Sequence, residues 1–179
     1  MQIVTLITRF CDYSQYIRGY RPETIRRYKG ALNLFIRSTG LTEIAQVEDV
    51  YIKRFFMEGR TERGWNANTF ITYHKSFVVF FRWCIDNGYM THNFAEDLEL
   101  PKVERKIPPK LTKQEAMRLL EVVYNYPYKY KFLRSRNHAI FSTFLMAGLR
   151  RGELLSLKYT DVDLENRSLF VRQGKGAKD

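Results

Sequence analysis

The chain has 179 residues, 45% of them hydrophobic, and its 30 Lys and Arg against 19 Asp and Glu give a formal charge of +11. That length suits one domain or two small ones, with enough apolar material for a packed core. The charge points to an anionic partner, nucleic acid first and an acidic membrane surface second, and Cys11 and Cys84 are too isolated for a disulfide framework or zinc site.

The first elements read as helices with short breaks. Residues 2–13 form a modest apolar segment that lacks the basic start and cleavage site of a signal peptide. Pro22 opens a helix running from Glu23 to about Ser38, with Gly40 beyond its end. Ile25, Tyr28, Leu32, Phe35 and Ile36 give it an apolar stripe. A third helix is expected from Val47 to Glu58, ended by Gly59 and followed by a loop at 60–64. A long, aromatic fourth helix runs from about Asn68 to Asn87, capped by Asn68 or Asn66 and closed by Gly88. Its Phe and Trp residues read as core, and Trp65 as a loop residue capping the bundle. His74 and Lys75 are expected on its polar side.

Leu100 to Lys110 holds three prolines and four Lys or Arg, which favours an extended linker. The domain boundary is placed there. Residues 1–100 carry a net charge of +2 and residues 101–179 a net of +9. Thr112-Lys113-Gln114-Glu115 reads as a capping box opening a helix to about Tyr124. Residues 127–135 read as a basic, aromatic loop, with helices following from about Arg136 to Ala147 and from Arg151 to Leu157. The alternating tyrosines 124, 126, 128 and 130, interleaved with Lys129 and Lys131, suit single-stranded nucleic acid. They equally suit a half-buried extended loop, which is the preferred reading. Residues 168–173 form a candidate strand. No apolar run is long enough to span a membrane.

The most specific motif is Gly148-Leu149-Arg150, Glu153-Leu154, Leu157 and Asp161, with Gly174-Lys175-Gly176-x-Lys178 beyond it. Upstream stand Thr24-Ile25-x-x-Tyr28, Asn68-Thr69 before the aromatic helix, and the Pro101 to Thr112 stretch. In this order the elements resemble the tyrosine-recombinase (phage-integrase) family over nearly the whole chain. Asn93-Phe94 stands where that family usually has Asn-Pro, and Arg136-Asn137 where Arg-Asp is common.

The resemblance implies a mainly α protein: a SAM-like helical core-binding domain at 1–100, a basic linker at 101–110, and an incomplete α+β catalytic domain at 111–179. It implies site-specific DNA recombination or integration through a 3′-phosphotyrosine, without metal or other cofactor and without a small-molecule substrate. The partner implied is double-stranded DNA, with tetramers on paired sites in full-length relatives, and the expected location is cytoplasmic.

The transition state gathers charge on nonbridging phosphate oxygens, and an arginine fork suits two of them at once. The resemblance assigns Arg150 to that task and Lys175 to protonating the leaving 5′-oxygen. Local spacing alone reads Arg150 as a surface cation at a helix end. Glu153 holds the arginine or braces the helix. Arg151 reads as exposed or as a phosphate contact. Thr69, Thr72 and Lys75 are candidate DNA contacts, against a solvated face. Lys102, Arg105, Lys106 and Lys110 are phosphate candidates on the linker.

The family also needs a His-x-x-Arg motif and a nucleophilic Tyr. His74, His92 and His138 are followed three residues later by Phe77, Ala95 and Phe141, so no such motif occurs in the 179 residues. The chain alone is therefore expected not to cleave DNA. The strand at 168–173 is expected to lack its partners and to present an open edge. Two other readings stay open: a short DNA-binding regulator of recombination, and a helical protein-interaction module.

Overall fold

The computed structural model describes residues 1–103 and 108–172. The chain divides into two compact units, Met1–Lys106 and Ile107–Asp179.

The first unit is a bundle of four helices: α1 (Ile3–Asp12), α2 (Pro22–Thr39), α3 (Asp49–Thr61) and α4 (Ala67–Asp86). A π-helical turn at Tyr13–Ile17 extends α1. Pro22 supplies the fixed φ of a first helical turn. At the other end Gly40 takes a left-handed φ of 70° and its N–H donates to the Ile36 carbonyl at 2.8 Å. The Asn66 side chain caps α4 by accepting the Thr69 N–H at 2.8 Å, which settles the cap between the two asparagines.

Every helix contributes to one aromatic core. Phe10, Phe35, Phe55, Phe56, Phe77, Phe80 and Phe81 are all buried. Phe35 meets Phe55 and Phe77 edge-on at 5.4 and 5.3 Å between centroids, the offset geometry that ring quadrupoles favour. Each buried phenylalanine contributes about 1.5–3 kcal/mol relative to exposure. An isolated strand-like contact, Gln2 against Glu43, ties the start of α1 to the α2–α3 connection. Cys11 and Cys84 are free thiols inside this core, pushed up by burial to about 11 and about 12.

Gly59 does not end α3. The helix continues to Thr61, and Gly59 lies within it, buried. The reason is Trp65, which folds back over the helix: a Cβ at position 59 would stand 2.2 Å from the indole ring. The Trp65 N–H donates to the Gly59 carbonyl at 2.8 Å. The indole then caps the bundle against Phe55 and Tyr73, at 5.3 and 4.6 Å. The glycine is there for close approach, not for termination.

The second unit holds α5 (Lys113–Asn125), α6 (Lys131–Ala147), α7 (Arg151–Ser156) and a two-stranded antiparallel sheet of β1 (Val162–Asp163) and β2 (Ser168–Leu169). The capping box at Thr112 forms as expected: Glu115 accepts the Thr112 N–H at 2.7 Å and donates its own N–H to the Thr112 hydroxyl at 3.2 Å. The basic aromatic segment is not a loop through residue 135. Helix α6 begins at Lys131, because Tyr130, extended at φ −125°, ends the connection. The candidate strand is also shorter than expected and is paired, Val162 with Leu169 and Asp163 with Ser168. Only Leu120 and Val123 are buried hydrophobics in the described part of this unit, and α6 buries none.

Candidate nucleic-acid interface

The α6–α7 corner is built by two backbone conformations. Gly148 ends α6 in the left-handed region at φ 65°, where a side chain would strain. Arg150 follows with extended backbone and serves as the residue before the first turn of α7. Glu153, one turn on, grips Arg150 twice. One carboxylate oxygen accepts the Arg150 backbone N–H at 2.8 Å, and the other accepts Nη1–H at 2.6 Å. One carboxylate thus holds both the Arg150 backbone and its side chain. These two bonds hold its pKa below the usual carboxylate range, the backbone bond first. The Arg150 side chain is 67% exposed and Glu153 only 13%. The ion pair uses one of five guanidinium donors, so the fork is oriented yet open to a phosphate.

A second fixed point follows along the chain. Asp161 is buried, accepts the Lys158 N–H at 2.9 Å, and takes Arg172 Nε–H at 2.6 Å. Its own carbonyl accepts the Phe170 N–H at 2.8 Å. The Lys158 bond and then Arg172 hold its carboxyl below the usual range. Asp161 therefore ties the short helical turn Tyr159–Asp161 to the arm leaving β2. Arg172 was not singled out from sequence, and Asp161 carried no assigned role. The pair is separated by eleven residues and forms only when the hairpin closes, so no local spacing signals it. Lys175 lies outside the described residues, as do Arg105 and Lys106.

In the first unit, Thr69, Thr72 and Lys75 recur three residues apart along α4, which places them on one stripe. Lys75 is exposed and the two threonines are half-buried. The Thr72 hydroxyl donates to the Asn68 carbonyl at 2.7 Å, so a phosphate would have to compete for that proton. His74 is not on a solvated face. It is half-buried, its Nε2 pairs with the Ala95 carbonyl at 2.7 Å, and its ring meets Phe56 edge-on. It fastens the segment after α4 to the bundle, helped by Asn93, which donates to the Val78 carbonyl at 3.1 Å. Lys102, Lys110 and Arg151 are exposed.

Among the described residues no group of three or more His, Cys, Asp or Glu is arranged to hold a metal ion, and no helix is long and apolar enough to cross a membrane.

Two family models match the chain. "Phage integrase, N-terminal SAM-like domain" covers residues 6–91 and "Phage integrase family" covers residues 109–179. The chain belongs to the phage integrase family. Among curated tyrosine recombinases it is 30% identical to XerC of Thermodesulfovibrio yellowstonii, over 97% of this chain and 55% of that protein. It is 32% identical to XerA of Thermococcus onnurineus, over 94% of this chain and 54% of that protein. The chain thus spans about half the length of the curated relatives it matches. Its fold is similar to a lambda integrase tetramer bound to a Holliday junction, with a TM-score of 0.75 at 18% identity, over 99% of this chain and 49% of that one. It is similar also to a lambda integrase dimer bound to a COC′ core site, with a TM-score of 0.73 at 20% identity, over 99% of this chain and 60% of that one. Within the integrase family the mainly α architecture is therefore a SAM-like helical domain followed by catalytic-domain sequence.

Proposed function

We propose that this chain binds duplex DNA as part of a site-specific tyrosine recombinase or integrase. Residues 1–100 act as the core-binding domain, residues 101–110 as a basic linker, and residues 111–179 as catalytic-domain sequence bearing Arg150 and Lys175. The observation that carries the reading is the Arg150–Glu153 pair, in which a mostly covered carboxylate orients an exposed guanidinium. Arg150 then takes nonbridging oxygens of the scissile phosphate, where two donors at fixed angles stabilise the charge that develops in phosphoryl transfer. Lys175 supplies the proton to the leaving 5′-oxygen. Thr69, Lys75, Lys102, Arg105, Lys106, Lys110 and Arg151 add backbone contacts, which position the protein and carry little sequence information. Thr72 joins them once its hydroxyl leaves Asn68. Further copies assemble on paired sites.

The test is duplex binding by the 179-residue chain across a salt series. The reading requires log K to fall steeply and linearly with log salt, and no covalent adduct to form, since no His-x-x-Arg sequence is present. A salt-independent affinity, or none, would sink it.

A further inference from the structure

The α5–α6 connection and the start of α6 carry two features that the duplex reading leaves unused. The first is charge. Between Glu121 and Glu153 the chain has no acidic residue, while Lys129, Lys131, Arg134, Arg136, Arg150 and Arg151 all fall there. The second is a set of aromatic rings that the fold does not bury. Tyr126 is 57% exposed, Tyr130 59% and Phe132 69%. The half-buried loop expected from sequence would have hidden them. Rings of this size normally go inward, and rings left in water are available to a ligand.

Rings and cations are already matched to one another. Lys129 Nζ lies 5.3 Å from the Tyr130 ring centroid, Arg134 lies 5.5 Å from that of Tyr124, and Arg136 lies 5.8 Å from that of Phe132. Tyr126 and Tyr128 pack against each other at 4.8 Å between centroids. None of the four cations at 129–136 forms an ion pair with a described carboxylate. Arg136 instead donates to the Asn137 side chain, from Nε at 3.1 Å and from Nη2 at 3.0 Å. Exposed aromatic rings beside cations that lack a carboxylate partner suit a polyanion whose units carry flat rings.

We propose that the α5–α6 connection and the first two turns of α6 form a stacking platform for unpaired nucleotides. Tyr126, Tyr130 and Phe132 take bases, and Lys129, Lys131, Arg134 and Arg136 hold the adjoining phosphates. Duplex DNA cannot fill this role, because its base faces are covered by their neighbours, whereas every free base has a π-face to offer. A stretch of chain without carboxylates, whose cations make no ion pair with a described carboxylate, also disfavours an ordinary protein partner, which would leave those cations uncompensated. The inference takes from the proposed function only that DNA is the partner.

Fluorescence polarisation with the whole chain tests it, using oligothymidylate, an abasic strand of the same length and a duplex. Tyr126→Ala, Tyr130→Ala and Phe132→Ala each lower affinity for oligothymidylate by about five-fold or more and leave the abasic strand and the duplex within about two-fold. Tyr126→Phe keeps the ring and binds as the parent does. Circular dichroism confirms that the helices persist. Equal affinity for thymidylate and abasic strands overturns the proposal, as do ring variants that leave single-strand binding unchanged. Loss of duplex binding with thymidylate binding intact counts against the proposed function and not against the platform.

Discussion

Arg150 shows how one carboxylate can prepare a cation without spending it. Glu153 accepts both the backbone N–H and one guanidinium donor, so the side chain is aimed while most of its fork faces solvent. Arg150→Ala should weaken duplex binding uniformly across sequences and reduce the slope of log K against log salt by about one, whereas Arg150→Lys should keep the slope. A salt titration of the three proteins reads this directly. Asp161 is the residue-scale counterpart on the structural side. Its folded-state pKa lies below the ordinary aspartate value because the Lys158 N–H and then Arg172 favour the charged form. The sign follows: its stabilisation is full above the unfolded value of about 4 and is lost as pH falls through the lower folded value. Protection factors of the Lys158 and Phe170 amides should therefore drop on acidification into that window, and Asp161→Asn should remove the dependence.

At the level of elements, the two units hold their turns in different ways. In the second unit carboxylates close four junctions: Glu115 at the start of α5, Glu153 at α7, Asp161 at the short turn, and Asp163 in the hairpin, where it accepts the Asn166 N–H at 2.9 Å. All four are held below their usual range, with a backbone N–H as the first cause. In the first unit packing does more of this work. Gly59 under the Trp65 indole is the sharpest instance. Gly59→Ala should destabilise the helical bundle by about 1–3 kcal/mol through overpacking, measured as a lower urea midpoint with an unchanged slope. Trp65→Ala in the same chain should recover part of that loss, because the clash disappears with the ring. His74 belongs at this scale too, since it joins α4 to the segment that follows it.

For the molecule as a whole, the contrast lies in what each unit buries. The first closes around a cluster of buried phenylalanines, while the described part of the second buries only Leu120 and Val123 among its hydrophobic residues and leaves Phe132, Met146, Leu155, Tyr159 and Leu164 exposed. Local opening costs least where few apolar contacts must be broken. Amides of residues 151–172 should therefore exchange well before those of α4, and acidification below about pH 4 should widen the gap because the carboxylate-held turns fail first. Equal protection of the two units in hydrogen-exchange mass spectrometry would contradict this. The charge divides the same way, +2 before residue 101 and +9 after it, so the second unit should supply most of the salt-dependent attraction to DNA.

Much of this was legible along the chain. Helix starts at Pro22 and Thr112, stops at Gly40 and Gly148, and the aromatic core of α4 follow from local rules of φ, capping and periodicity, which act within a few residues. The contact between Arg150 and Glu153 follows from one helical turn, whereas the role given to Arg150 came from the resemblance and not from local spacing. Other features depend on residues distant in sequence, and these only the folded chain decides. Gly59 looked like a stop because nothing nearby says that an indole six residues on will lie across it. His74 looked solvated because its partner, the Ala95 carbonyl, is twenty-one residues away. Arg172 finds Asp161 only once the hairpin has formed. The exposure of Tyr126, Tyr130 and Phe132 was equally hidden, because alternation of rings and lysines is the same whether one face is covered or open. Burial is a property of the neighbours a residue acquires, and those neighbours come from tertiary packing.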